Sequence, residues 1–239
     1  MKRLKNADLV ALLSAIAELN SDFDPRTLPE RAMKAALRAV NADSVAFTGI
    51  AYDGQLSGLV WDSSEAISPE EVEIFGQYIH EQPLFAAFLV ERRAETLQIT
   101  DLMPAEKFER TNVYNEFYRR VGVRNQLVSP LSVSRDLFVS CSMNTGAPDF
   151  SERDRLMISL LAPHLIAAIR SALAFERLTA ALDAQASGVI AVSADGKPQF
   201  VSEFARGLLE KYFAGEKRAA DALPETLRSW LKQANEPLK

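Results

Sequence analysis

Apolar residues open the chain at helical spacing. Leu9, Leu12, Leu13, Ile16 and Leu19 recur every three or four positions and predict a first amphipathic helix. Met33, Ala36, Leu37 and Val40 predict a second over Leu28 to Val40, which the polar Asn41 and Asp43 end. From Ser44 the pattern changes to short β-rich runs on either side of Asp53 and Gly54, a dipeptide that predicts a hairpin. Ser68, Pro69 and Glu71 form a capping-box pattern with proline at the first helical position, so a helix is expected from there to about His80. Pro83 interrupts it before a second helical run through Phe88 to Glu91.

Thr96 to Leu102 alternates apolar and polar residues and predicts a short strand. Val113, Tyr114, Phe117, Tyr118 and Val121 then form one helical face, with Arg119, Arg120 and Gly122 suiting its end, before Leu127 to Val133 enters a strand. A turn at Ser134 to Asp136 leads to another strand, Leu137 to Asn144. Ser151 is a good N-cap for a helix from Glu152 to about Gln185, roughly 50 Å long, which Pro163 is expected to bend.

Leu165, Ile169, Ala172 and Leu173 share one stripe of that helix, continued by Leu178 and Leu182. A helix this long outruns a domain of this size, so a second copy is expected to cover the stripe and make a homodimer. Past Ser187 a smaller unit reads as strand, turn at Asp195 and Gly196, strand and helix. A linker from Ala214 to Ala222 leads to a last short helix with Leu227, Trp230 and Leu231. The expected division is therefore 1–150, 151–186 and 187–239.

Composition narrows the functional classes. The chain has 239 residues, room for one large or two small domains, and a formal net charge of −5. That balance gives no basic footprint for a phosphate backbone. The basic start, MKRLK, lacks the uninterrupted apolar stretch of a signal peptide, and no segment reads as long and apolar enough to span a bilayer. We therefore expect a cytoplasmic protein with no membrane partner. A single cysteine, Cys141, excludes an internal disulfide and leaves too few thiols for a zinc site.

Nothing in the residue types points to bond-making. His80 and His164 stand apart from any metal-ligand spacing, and the carboxylates Asp53, Asp62, Glu70 and Glu71 fall in turns, caps or exposed faces. No nucleophile elbow or glycine-rich phosphate loop occurs. Catalytic, metal and cofactor sites are therefore expected to be absent. Cys141 reads as a small buried filler on an apolar strand face with Leu137, Val139 and Met143.

The aromatic residues remain. Trp61, Tyr78, Phe85, Tyr114, Phe117 and Tyr118 suit either plain core or the lining of a small-molecule pocket, because Tyr and Trp carry polar tips that need partners when buried. With Cys141 they are the candidate ligand-binding residues.

Three motifs in order carry a resemblance: F-x-x-T-x-x-Y-N-E-F-Y-x-x-x-G-V from Phe108, then F-S-E-R-D-R-L with A-P-H-L-x-x-A-I-R, then S-G-V-I-A-V-S-A-D-G-K. Together, over about Leu28 to Trp230, the chain resembles the N-terminal sensory region of LuxR-type bacterial transcriptional regulators. The resemblance implies an α/β (α+β) fold: a GAF-like antiparallel sheet flanked by helices, a long connecting helix that carries dimerisation, and a partial PAS-like segment. It also implies a ligand site between the sheet and the helices on one side.

The chain departs from the pattern in three places. Its PAS-like segment is only about forty residues, Ser202 and Glu203 stand where such segments commonly carry Asn, and nine residues follow Trp230 where a helix-turn-helix would lie. DNA is thus an expected partner only through a domain missing from this chain, which we expect to be a sensory fragment. The asparagine-lysine-phenylalanine motif of cyclic-nucleotide GAF domains and the bilin-attachment cysteine of phytochromes are also missing. One cysteine cannot supply the two thiols of GAF-type methionine sulfoxide reductases.

The leading expectation is a non-catalytic, ligand-sensing and dimerising module. The alternatives are a ligand-free interaction module and, more remotely, a GAF-fold enzyme.

Overall fold

The computed structural model describes residues 4–22, 24–51, 56–62, 68–131, 137–193, 196–215 and 222–234. They fall into two compact units, Met1–Ser21 with Leu28–Arg170, and Asp22–Thr27 with Ser171–Lys239.

The first unit opens with helices α1 (Asn6–Leu19) and α2 (Leu28–Ala39), followed by strands β1 (Ser44–Ala51) and β2 (Leu56–Asp62). The turn expected at Asp53 and Gly54 lies outside the described residues. Helix α3 (Pro69–Tyr78) begins where the capping box places it, with the Ser68 hydroxyl accepting the Glu71 amide. A 3₁₀ turn over Ile79–Glu81 leads to α4 (Pro83–Phe85), which runs directly into a π-turn over Ala86–Val90. Strand β3 (Leu97–Gln98) and short helices α5 (Ile99–Leu102) and α6 (Ala105–Phe108) follow, then a second π-turn over Tyr114–Tyr118. Strands β4 (Asn125–Leu131) and β5 (Leu137–Thr145) precede α7 (Glu152–Ala184); the turn expected at Ser134 to Asp136 is again outside the described residues.

The strands form an antiparallel sheet in the order β2-β1-β5-β4-β3. Side chains alternate across it. One face carries Val45, Phe47, Leu127, Val139, Cys141 and Met143, all buried. The other carries Ser44, Ala46, Thr48, Gln126, Val128, Ser140, Ser142 and Asn144 and meets the helices and turns between Pro69 and Val123. This is the GAF-like arrangement that the resemblance implied.

Several local expectations are corrected. Thr96 to Leu102 is a strand for only two residues, because the Asp101 carboxylate accepts the Gln98 amide at 2.8 Å and starts a helical turn instead. In α1 the expected stripe faces inward only in part: Leu19 is buried and Leu12 and Ile16 are half-buried, whereas Leu9 and Leu13 are exposed. Contrary to expectation, α7 is by length and composition apolar enough to cross a membrane. Its apolarity has a structural use, since Met157, Ile158, Leu161, Leu165 and Ile169 are all buried. Leu165 and Ile169 were expected on a dimer seam; they belong to the core of their own unit, while Ala172 is half-buried and Leu173 exposed. The helix runs on through Pro163.

The second unit holds the later part of α7 and the strand pair β6 (Ile190–Val192) and β7 (Pro198–Val201), followed by α8 (Glu203–Phe213) and α9 (Glu225–Ala234). Asp195, of the expected turn, is outside the described residues; Gly196 has φ +80°, a conformation that glycine adopts without strain. Phe175 stacks edge-on against Phe200 at 4.6 Å between ring centres. Ser202 caps α8 through the Ala205 amide, accepts the Val189 amide and donates to Asp183 at 2.8 Å. Ser202 thus ties the start of α8 to the end of α7 and to Val189, which precedes β6. Gly188 is required there, because a Cβ would come within 3.0 Å of Ala205.

Candidate functional site

A cavity of about 130 Å³ lies in the first unit between the sheet face that bears Ser140 and Ser142 and the helices that cover it. The covering side is apolar. Val72, Phe75 and Ile79 come from α3 and the turn after it, Leu84, Phe85 and Leu89 from α4 and its π-turn, and Phe117, Tyr118, Val121 and Val123 from the second π-turn and its end. Beyond the cavity Phe108, Val113 and Ile99 continue this core. Phe75 lies 4.9 Å from Phe117, ring centre to ring centre, and Phe108 lies 5.4 Å edge-on to Tyr118.

The two π-turns shape this roof. Arg119 donates to the Tyr114 carbonyl at 2.8 Å and Glu91 to that of Ala86 at 3.1 Å, each five residues back. A widened turn spreads successive side chains less sharply than an α-turn. Here it leaves Phe117 and Tyr118, neighbours in sequence, both buried. Gly122, at φ +73°, then ends the segment, and the Val123 amide donates to the Tyr118 carbonyl.

The floor is polar. Register sets it out in rows: Ser44, Asn144 and Gln126; Ala46, Ser142 and Val128; Thr48, Ser140 and Pro130. The first row belongs to a continuous chain of hydrogen bonds. The Gln82 Oε1 accepts the Leu84 and Phe85 amides, so it caps α4. Its Nε2 donates to Gln126 Oε1 at 3.0 Å and to the Tyr118 hydroxyl at 3.1 Å. Gln126 Nε2 donates to Asn144 Oδ1 at 2.8 Å, and Asn144 Nδ2 donates to Ser44 Oγ at 3.1 Å. Burial holds the Tyr118 hydroxyl well above the ordinary tyrosine range, so it stays neutral, as a donor and an acceptor.

The second and third rows differ. Ser140 and Ser142 are 5% and 7% exposed, and neither hydroxyl has a hydrogen-bond partner among the described residues. The Thr48 hydroxyl, beside Ser140, is also without one. Among the described residues that line the cavity none is charged. Val60 and Asp62 of β2 pair with Thr48 and Ala46, and their side chains lie outside the described residues.

Of the sequence candidates, the cavity brings together Phe85, Phe117 and Tyr118. Tyr78 and Tyr114 are half-buried and pack behind it. Trp61 pairs in register with Phe47, and its side chain lies outside the described residues. Cys141 is not a lining residue. Alternation turns it to the opposite sheet face, where its sulfur lies 3.6 Å from that of Met143 and burial pushes its thiol well above the ordinary range. The sequence reading missed Gln82, Gln126, Asn144 and the hydroxyl rows. Among the described residues no group of three His, Cys, Asp or Glu side chains gathers to hold a metal ion.

No protein-family model matches the chain, and no curated protein sequence does. Among solved structures it is similar to the LBD domain of VqsR from Pseudomonas aeruginosa, at 17% identity and a TM-score of 0.55, over 69% of this chain and 98% of that one. Similarity is weaker to the N-acylhomoserine lactone dependent LuxR family transcription factor CepR2 from Burkholderia cenocepacia: 11% identity and a TM-score of 0.47, over 71% of this chain and 99% of that one. It is also weaker to the phycoerythrobilin-bound GAF domain of a cyanobacterial phytochrome, at 12% identity and a TM-score of 0.46, over 72% and 100% of the two chains. Over 69% of its length this chain thus has the fold of the VqsR LBD domain.

Proposed function

We propose that the chain is the non-catalytic sensory part of a cytoplasmic LuxR-type transcriptional regulator, which binds a small molecule between the sheet and its helical roof and acts as a homodimer. The observation that carries the reading is the cavity itself, with an apolar roof and buried floor hydroxyls that no described protein group satisfies. Buried polar groups normally find partners, and a wall of them left open is how a site presents itself to a ligand. The order of the sequence motifs and the VqsR-like fold support the regulator class.

Dimerisation is supported by apolar side chains left exposed on the first unit: Leu9, Val10 and Leu13 of α1, with Leu156 and Leu160 of α7. A ligand would shift the arrangement of such a dimer only through differential affinity for its states.

The test is a thermal-shift screen of small metabolites against the chain and its Ala46→Leu variant, which fills the floor. A compound that raises Tm in the parent alone supports the site. Compounds that raise both equally bind elsewhere, and a screen with no hit favours a ligand-free interaction module.

A further inference from the structure

The cavity's lining limits what it can hold. Resting on the ligand-sensing reading above, we infer that its ligand is a compact, non-anionic, single-ring molecule with hydrogen-bonding groups along one edge, seated on Thr48, Ser140 and Ser142. Three observations lead there.

Size comes first. A volume of about 130 Å³ is close to the roughly 150 Å³ cavity that takes a benzene-sized guest. A long flexible chain exceeds that volume.

Shape and polarity come next. Phe75, Phe85 and Phe117 line one side. On the other side the hydroxyls of Ser140 and Ser142, two residues apart on β5, are spaced by about 7 Å, and Thr48 stands about 5 Å across from Ser140. A ring with polar atoms on one edge meets both walls at once.

The third observation is the neighbouring row. Gln82, Gln126, Asn144 and Ser44 satisfy one another, so the amide row is closed to a ligand and the hydroxyl rows are open. Hydroxyls both donate and accept, and they select hydrogen-bonding groups without selecting a charge. Among the described lining residues none would balance a carboxylate.

The test uses the full chain and four probes: resorcinol (neutral, two hydroxyls on one edge), toluene (the apolar ring), benzoate (the charged ring) and octan-1-ol (the neutral chain). Dissociation constants come from NMR titration of the parent, a Ser140→Ala/Ser142→Ala double variant and Thr48→Val. These substitutions remove hydroxyls without described partners, so the thermal melt should be preserved. The expected result is resorcinol bound at least tenfold more tightly than benzoate or octan-1-ol. The double variant should lose about tenfold for resorcinol and nothing for toluene, with a smaller loss in Thr48→Val.

Equal resorcinol affinity in the parent and both variants overturns the seating on these hydroxyls. Preference for benzoate or octan-1-ol overturns the ligand class and leaves the sensing reading standing. Failure of all four probes to bind overturns both.

Discussion

Gln126 donates through Nε2 to Asn144 Oδ1 at 2.8 Å across the β4–β5 pair, and this bond gives the polar end of the cavity a direction. Gln126 Oε1 already accepts from Gln82 and Tyr118, so turning its amide over breaks contacts on both sides. Gln82 is fixed in turn by the Leu84 and Phe85 amides that its oxygen caps. The start of α4 thereby sets the orientation of side chains on two strands.

Gln82→Leu should therefore cost more than a lost cap. The cap is worth about 1 kcal/mol. Taking away the Gln82 donor adds about 1 kcal/mol, because the Tyr118 hydroxyl still donates to Gln126 Oε1 at 3.3 Å and neither group is left unpaired. We expect a loss of about 2 kcal/mol in urea unfolding with an unchanged m-value. A loss under about 1 kcal/mol would show that the chain of amides is not what orders this end of the roof.

Tyr118 separates the packing part of that end from its polar part. Tyr118→Phe keeps the ring against Phe75, Phe108 and Phe117 and removes only the hydroxyl, so about 1 kcal/mol should be lost. Tyr118→Ala removes the ring from a fully buried position and should cost about 3–5 kcal/mol. Similar losses for the two variants would mean that the hydrogen bonds, and not the aromatic cluster, hold the residue.

These contrasts also show what the sequence made legible. Ser68 with Glu71, the helix after Ser151 and the strand pair around Ser134 to Asp136 were readable because caps and period leave a local signature. The π-turns were not, since a single widened turn has no repeating pattern of its own. The aromatic roof was partly read through Phe85, Phe117 and Tyr118. Its polar floor was missed because serines that alternate with apolar residues usually mark a solvent face. On β5 the alternation instead separates two buried faces, and Cys141 and Ser142 went to opposite ones. Helices predicted on both sides of the sheet were the clue that the serine face would be covered as well.

Cys141 yields a pH prediction whose sign follows from burial. Its folded pKa is raised above the ordinary thiol value of about 8.5, so the neutral form favours the folded state. That contribution is fully present below about pH 8.5 and is lost as pH rises above it, because the unfolded chain then releases a proton that the folded one keeps. Stability measured from pH 7 to 10 should fall, and the fall should be shallower in Cys141→Ala than in the parent. The native thiol should also resist Ellman's reagent until the chain unfolds. Rapid labelling of the folded chain would place Cys141 at an accessible surface.

Two sets of leucines on the first unit answer the question of assembly in opposite ways. Leu165 is fully buried within its own unit, so Leu165→Ala should lower stability by about 2–5 kcal/mol through lost transfer and an unfilled cavity. Leu9 and Leu13 are 46% and 66% exposed, and replacing both by serine removes little from the core of a single copy. If α1 is a dimer face, Leu9→Ser/Leu13→Ser should shift the chain from dimer to monomer in light scattering at micromolar concentration. The melting of dilute protein should hardly change. A double variant that stays dimeric would move the interface off α1, and a parent chain that is monomeric at the same concentration would remove dimerisation from the proposal altogether.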